Sequence, residues 1–445
     1  MKKFCLLFLL ITSSLFAQEV KMNKYDRIWA LSTVWKELSY NFAFPEKIIG
    51  NLNTDSLYEA YLPKVEPEMD NYAFYKVLSS YIAHYNEAHT RAYISNQWID
   101  IPPLFATSVE GKIIVDNVSK DLEKDIPIGS EIIKINNILT DKYITDSVAI
   151  YISASTPQWK WNKSVLELFN GRPGSKLSIT TKDKKGKEKE IILTRNYNQM
   201  KSNIQMVKAV EEPPITIDIL KNNIAYIKLT SFMYPYRDSI NHVFTHALPQ
   251  LRKAKGLIID IQKNRGGSDA SWELIAMHLI KDKEFRLPNK YYSRKHIPTY
   301  AQWGKYYPQM NDYTKGIAME EIIHSNYPNN VADSLKLNQP LVILSGKLTG
   351  SAAEDFLLLM KHVRKALVIG TPSVGCVGEP AFFPLTKDLG FQMCVKKFVL
   401  NDGSQPIDTG ILPDIEVKET YQDYLKGKNS ALDRALDELA YLIDK

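Results

Sequence analysis

The residue best suited by type and setting to covalent chemistry is Ser351, in Gly350-Ser351-Ala352-Ala353-Glu354, shortly after the apolar run Leu341-Val342-Ile343-Leu344. A buried strand gives way to a helix there, and a serine at such a turn presents its hydroxyl beside free backbone N–H groups. The helix start adds positive dipole character, which favours a developing oxyanion. Serine is also a favoured N-cap, so the pentapeptide alone leaves both capping and nucleophilic catalysis open. In Asn264-Arg265-Gly266-Gly267 the glycine pair lets a backbone amide approach a substrate oxygen without a side chain in the way. With the Ala352 N–H, Gly266 or Gly267 would complete an oxyanion hole; an ordinary tight turn is the competing reading. His242-Val243-Phe244-Thr245-His246 sets two imidazoles one helical turn apart. The glutamate that follows the first histidine in zinc peptidases is absent, so no metal site is expected there.

These residues fall at strand ends. Asn264-Arg265-Gly266-Gly267 follows the apolar run Leu257-Ile258-Ile259-Asp260-Ile261, and Gly370-Thr371-Pro372-Ser373-Val374-Gly375 follows Leu367-Val368-Ile369. Ligand sites of open α/β sheets lie where such loops cluster. Near-continuous apolar strands, including 391–395, alternate with helical stretches at 270–280 and 352–362, which predicts a layered α/β core over 201–420. Before it, residues 98–200 carry short alternating strands and turn residues, the pattern of a small β-rich module. Its segment 129–137 and the strand pair after Arg172-Pro173-Gly174 resemble PDZ domains, which bind extended peptides at a sheet edge. Pro102-Pro103-Leu104-Phe105 is a candidate peptide-binding loop or a plain linker. Residues 18–97 read as helical, the best helix starting at Asp70-Asn71 with Phe74, Val77, Leu78, Tyr81, Ile82 and Tyr85 at helical spacing. His89 then lies at a helix end or loop. Residues 421–445 read as a C-terminal helix.

The opening Met1-Lys2-Lys3, the apolar stretch 4–11 and the small residues ending at Ala17 predict a secretory signal peptide over 1–17. No later stretch has the apolar length of a membrane helix. Losing Lys2 and Lys3 lowers the formal charge from +6 to +4, which gives nucleic-acid binding no support. The mixed run at 182–189 reads as a solvated hairpin tip. Cys376 and Cys394 are too few for a disulfide scaffold, and their pairing stays open.

The order Lys255-Gly256-Leu257-Ile258-Ile259-Asp260 with Asn264-Arg265-Gly266-Gly267, then Ser351-Ala352-Ala353-Glu354, then Gly370-Thr371-Pro372-Ser373-Val374-Gly375, then Gly410-Ile411-Leu412-Pro413-Asp414 resembles the tail-specific (C-terminal processing) serine proteases. The likeness spans nearly the whole mature chain, and four collinear motifs are more specific than any one. It implies a PDZ domain ahead of a layered α/β core of the ClpP/crotonase type, Ser351 as nucleophile, peptides or unfolded polypeptides as substrates, no cofactor, and a bacterial periplasmic or secreted location. The C-terminal processing branch takes its base from a lysine in a Gly-Lys pair, whereas here Gly375 is followed by Cys376. A thiol is a poor substitute for a base that must accept and return a proton near neutral pH.

The resemblance to the tricorn-like Ser/His branch supplies another base. There a histidine ahead of the PDZ domain follows an acidic residue and a spacer and precedes threonine, which Glu87-Ala88-His89-Thr90 fits. Imidazole has the near-neutral pKa the task needs. The same branch implies an orienting acid near the Gly-hydrophobe-Pro-Asp region, at Asp408, with Glu379 as competitor. Glu354 is expected to support the serine helix and Asp355 to favour its first turn electrostatically. The sequence thus predicts an exported serine endopeptidase; the alternative is a catalytically inactive peptide-binding protein of the same fold, and a lesser rival is an esterase.

Overall fold

The apolar runs form strands covered on both faces. Among the described residues, six strands make the central sheet in the order Ile415–Glu416, Leu367–Gly370, Leu341–Ser345, Gly256–Asp260, Ile224–Leu229, Ile215–Leu220. Neighbours run parallel except at the antiparallel Ile215–Leu220 edge. Side chains alternate across a strand. Leu257, Ile259, Leu341 and Ile343 therefore pack with Phe244, Phe356 and Leu359 from helices on one side, and Ile258, Val342 and Leu344 meet Ala431, Ala435 and Leu439 of helix Ser430–Asp444 on the other. The predicted C-terminal helix is thus the second cover of the sheet. At Gly256 an added Cβ would lie 2.8 Å from Leu439 Cδ2, so the missing side chain is what seats that helix. The structure is a computed structural model that describes residues 22–47, 53–295, 303–304, 306–314, 317–322 and 326–444; the expected signal peptide lies outside the described residues.

The run 391–395 belongs to a different sheet from the one its apolar character predicts. It is part of Leu389–Leu400, which pairs antiparallel with Arg91–Ile94, Asn289–Arg294 and Glu379–Pro384. Phe391 and Met393 bury against Leu38, Phe74 and Leu78 of the N-terminal helices. An apolar run reports burial, not which sheet provides it. Those helices are Lys24–Asn41, Thr54–Val65 and Asn71–Ala83. The last is capped as expected, the Asp70 side chain accepting from Ala73 N–H at 2.8 Å. It buries Phe74, Leu78, Tyr81 and Ile82, each contributing roughly 1.5–3 kcal/mol by leaving water. Asn86, at φ 48°, then turns the chain into Glu87 and His89.

The β-rich module has its own sheet, in the order Leu104–Val109, Lys112–Val118, Glu131–Ile135, Lys176–Lys182, Glu188–Thr194, and its own core around Val115, Ile132, Leu168 and Ile179. Residues 182–189 close a hairpin as predicted, with Gly186 at φ 85°. The candidate peptide-binding stretch enters the edge strand Leu104–Val109, where Leu104 is buried and Phe105 packs edge-on against Tyr197. Lys347 of the core reaches the same strand, donating to Ser108 O at 2.5 Å. No helix among the described residues is long and apolar enough to cross a membrane.

Candidate active site

Ser351 sits at the start of helix Ala352–His362 with φ 55° and ψ −131°, a left-handed conformation costly for a residue with a side chain. The loops from the C-terminal ends of strands Gly256–Asp260 and Leu341–Ser345 hold it there. Thr349 Oγ1 donates to Ile261 O at 2.8 Å, and Gly350 N–H donates to Asn264 O at 3.1 Å. Gly266, at φ 87°, presses against the turn: a Cβ there would lie 2.4 Å from Gly350 O and 2.7 Å from Ala352 N. Only glycine fits that approach.

Glu354 is the anchor of this elbow. Completely buried, its carboxylate accepts from Ser351 N–H at 2.9 Å, Cys376 N–H at 2.9 Å, Gly375 N–H at 2.7 Å and the Ser373 hydroxyl at 2.5 Å. Burial pushes its pKa up to about 7, and these four donors pull against that rise. The expected support of the serine helix therefore takes the form of a clamp joining the elbow to the loop 373–376. Asp355 differs from its expected part. Its Oδ1 is buried without a partner, and burial, with Asp269 and then Glu354 nearby, holds its carboxyl well above the usual range, which works against the charged form that would favour the helix dipole.

His89 Nε2 lies 3.3 Å from Ser351 Oγ, across 262 positions of sequence. The ring is almost fully buried, and burial, with Arg91 adding to it, lowers its pKa to about 4, so the imidazole is neutral at neutral pH. Its Nδ1 is buried with no hydrogen-bond partner, and Glu87 Oε1 faces it at 3.8 Å. Glu87 is completely buried and pushed up to about 7 by that burial. It accepts from His89 N–H at 2.9 Å and the Thr90 hydroxyl at 2.6 Å. The β-rich module fixes the backbone of this loop, Ser153 and Ser155 hydroxyls accepting from the N–H groups of Glu87 and Ala88.

The carboxylate beside the imidazole is thus Glu87 rather than Asp408. Asp408 is 67% exposed and pairs with Lys47 at 2.9 Å; although its neighbours Pro406 and Ile407 are buried, its carboxylate is spent on that exposed pair and not on the buried His89 ring. Glu379 is also exposed and pairs with Lys396. The motif Glu87-Ala88-His89-Thr90 contains this acid, although the family resemblance assigns it no role. The signal was available in the spacing: an acid two residues before the histidine, in a tight turn, folds back on the same ring. His242 and His246 stack at 6.4 Å on an exposed helix face.

On the other side of Ser351 a cleft of about 410 Å³ is lined by Gly267, Ala352, Asp269, Asp355, Tyr291 and Tyr327. Of the three amides considered for an oxyanion hole, Gly266 N–H is already given to Asn264 Oδ1 at 2.9 Å. The N–H groups of Gly267 and Ala352 donate to no group among the described residues. A hydroxyl beside a neutral imidazole, with two free amides at the mouth of a cleft, can attack a carbonyl and hold the resulting oxyanion.

Residues 223–417 match peptidase family S41. Among solved structures, mature CPAF complexed with lactacystin superposes with a TM-score of 0.68 at 13% identity, covering 95% of this chain and 99% of that one. The photosystem II D1 C-terminal processing protease gives 0.50 at 16% identity, covering 88% and 93%. At these identities the likeness is one of fold, and it extends over the helical region and the β-rich module as well as the core.

Proposed function

The chain carries a peptidase domain of family S41 and is a serine-type peptidase, and on that premise we propose that it is an exported endopeptidase cleaving unfolded polypeptides or peptide tails with a Ser351–His89 pair. The observation that carries this reading is the 3.3 Å approach of His89 Nε2 to Ser351 Oγ at an elbow bordered by two unoccupied amides. His89, with its proton on Nδ1, takes the Ser351 proton on Nε2 as Oγ attacks the peptide carbonyl. The Gly267 and Ala352 amides receive the oxyanion. Glu87 stabilises the imidazolium that forms beside it, and Nε2 then returns the proton to the leaving amine. Water repeats the sequence on the acyl-enzyme.

Export rests on the lysine-led apolar start of the chain, and the preference for extended polypeptide on the β-rich module and on the name of the D1 processing protease. The test is labelling by a fluorophosphonate together with turnover of an unfolded protein. Both are expected to vanish in Ser351→Ala and in His89→Ala, with turnover down by about 10⁴-fold or more. Labelling that persists in His89→Ala refutes the choice of base. Labelling without peptide turnover points to an esterase, and peptide binding with neither points to an inactive binding protein.

A further inference from the structure

One chemically mixed cluster stands behind the hydrolytic pair. A carboxylate oxygen of Glu87, a ring nitrogen of His89 and the sulfur of Cys376 all lie within 4.8 Å of one another. Two of the three side chains are almost wholly buried, and the third is half-buried. Two groups in the cluster have nothing else to do: His89 Nδ1 is buried without a hydrogen-bond partner, and the Cys376 thiol makes no hydrogen bond among the described residues, only its N–H being used, on Glu354. A tetrahedral zinc ion, with bonds of about 2.0–2.3 Å, sets its ligands roughly 3.3–3.7 Å apart. The observed separation of 3.8 Å between Nδ1 and Glu87 Oε1 is already close to that.

We propose that Glu87, His89 and Cys376 form an inhibitory site for a borderline-soft divalent metal, Zn²⁺ above all, built directly behind the hydrolytic pair. Imidazole nitrogen, sulfur and one carboxylate oxygen suit zinc, whereas calcium and magnesium take oxygen shells. The inhibition follows from tautomer arithmetic. A neutral imidazole has one N–H. With a metal on Nδ1 that proton must sit on Nε2, which then donates to Ser351 Oγ and has no lone pair for the serine proton. With a proton on Nδ1 the Nε2 lone pair faces the serine. What occupies Nδ1 therefore decides whether the serine can be activated. Cys376 accordingly has a positive part to play at the position where the C-terminal processing branch carries its lysine. Metal binding stands on this cluster alone; the inhibition also rests on the Ser351–His89 reading.

Two measurements on the full mature chain under reducing conditions separate them. Titration with Co²⁺ is expected to give a thiolate-to-cobalt charge-transfer absorption that saturates at one equivalent and is displaced by Zn²⁺. It is expected to be lost in both Cys376→Ser and Cys376→Ala, whose folding is checked by thermal melting. Zn²⁺ is expected to suppress fluorophosphonate labelling and peptide turnover reversibly, a chelator restoring both. In Cys376→Ser, relative to that variant's own metal-free activity, half-inhibition is expected to need at least about 10-fold more Zn²⁺. Absence of the charge-transfer band in the wild-type protein, or its persistence in both cysteine variants, overturns the site. A normal band with no effect of Zn²⁺ on labelling overturns the inhibitory role. Absence of labelling in the metal-free protein refutes the Ser351–His89 reading and leaves the metal site standing on its spectrum.

Discussion

The serine elbow and the histidine loop meet at 3.3 Å, yet each is held by a differently equipped buried glutamate. Glu354 receives four donors, three of them backbone amides, and ties the elbow to the loop 373–376. Glu87 receives the Thr90 hydroxyl and the His89 amide, and one of its oxygens faces a ring nitrogen at 3.8 Å, too far for a hydrogen bond. One carboxylate is saturated and structural; the other keeps capacity to spare beside the imidazole that the proposed mechanism has change charge. A nucleophile gains from fixed geometry. A base gains from a partner that can respond as the imidazolium forms.

If that contrast is right, Glu354→Ala has the largest effect. It leaves the buried amide of Gly375 and the partly buried amides of Ser351 and Cys376 without an acceptor, at about 1–3 kcal/mol for each such group. The expected outcome is a loss of roughly 3 kcal/mol or more in chemical denaturation, with peptidase activity down on the order of 10³-fold as the elbow relaxes. Unchanged stability would show that the clamp is not what holds Ser351 in place.

Gly266→Ala comes next. Alanine must adopt φ 87° and place its Cβ 2.4 Å from Gly350 O, so the elbow has to move. A shift of about 1 Å costs on the order of 10²-fold in turnover. Fluorophosphonate labelling should slow in parallel, because in the proposed mechanism both reactions use the same hydroxyl and the same amides. Loss of turnover with labelling at the wild-type rate would mean the glycine serves substrate binding instead.

Glu87→Gln tests the other half of the comparison. Glu87 is held up to about 7, so it is ionised only above that pH, whereas His89 is neutral from about 4 upwards and does not titrate in the same window. The wild-type kcat/KM should therefore rise as pH increases through 7. In the glutamine variant that rise should flatten, with the high-pH plateau about 10-fold lower. A limb that survives in the variant belongs to Glu354, which is held at the same value, and removes Glu87 from its place behind the imidazole.

The uneven legibility of the site has a physical origin. The elbow is local: a strand, a glycine, a serine and a helix within one stretch write Ser351 into the sequence, and Glu354 lies three positions on, where a helix turns back to its own start. The approach of Gly266 to that elbow depends on two parallel strands, but each strand is a plain apolar run with a glycine turn after it. His89 is legible only through a motif resemblance, since nothing in a polar helix end shows that the strand Arg91–Ile94 will dock on Leu389–Leu400. The resemblance points to Asp408 as orienting carboxylate by its position along the chain alone. Burial, which chain position does not show, places Glu87 beside the ring, and burial at Glu87 depends on the β-rich module packing over the loop through Ser153 and Ser155. The sheet to which the run 391–395 belongs is hidden for the same reason, its apolar residues being covered by helices more than 300 residues earlier in the chain.

Asp408→Asn should have the smallest effect. If Asp408 oriented the imidazole, its amide would cost about 10⁴-fold, the loss expected when the base is held in the wrong tautomer. Instead its carboxylate is 67% exposed and paired with Lys47, and an exposed pair of this kind contributes about 0–1 kcal/mol. kcat/KM at pH 8 should stay within about twofold of wild type. A finer mark remains. Lys47 also acts on Glu87, its positive charge opposing the rise that burial imposes. Freed from Asp408, that charge is less neutralised, so the Glu87 limb should move towards lower pH in Asp408→Asn. A shift in that direction with an unchanged plateau ties Lys47 to the base side of the site, whereas a collapsed plateau would return Asp408 to the position behind His89 and leave Glu87 as a buried spacer.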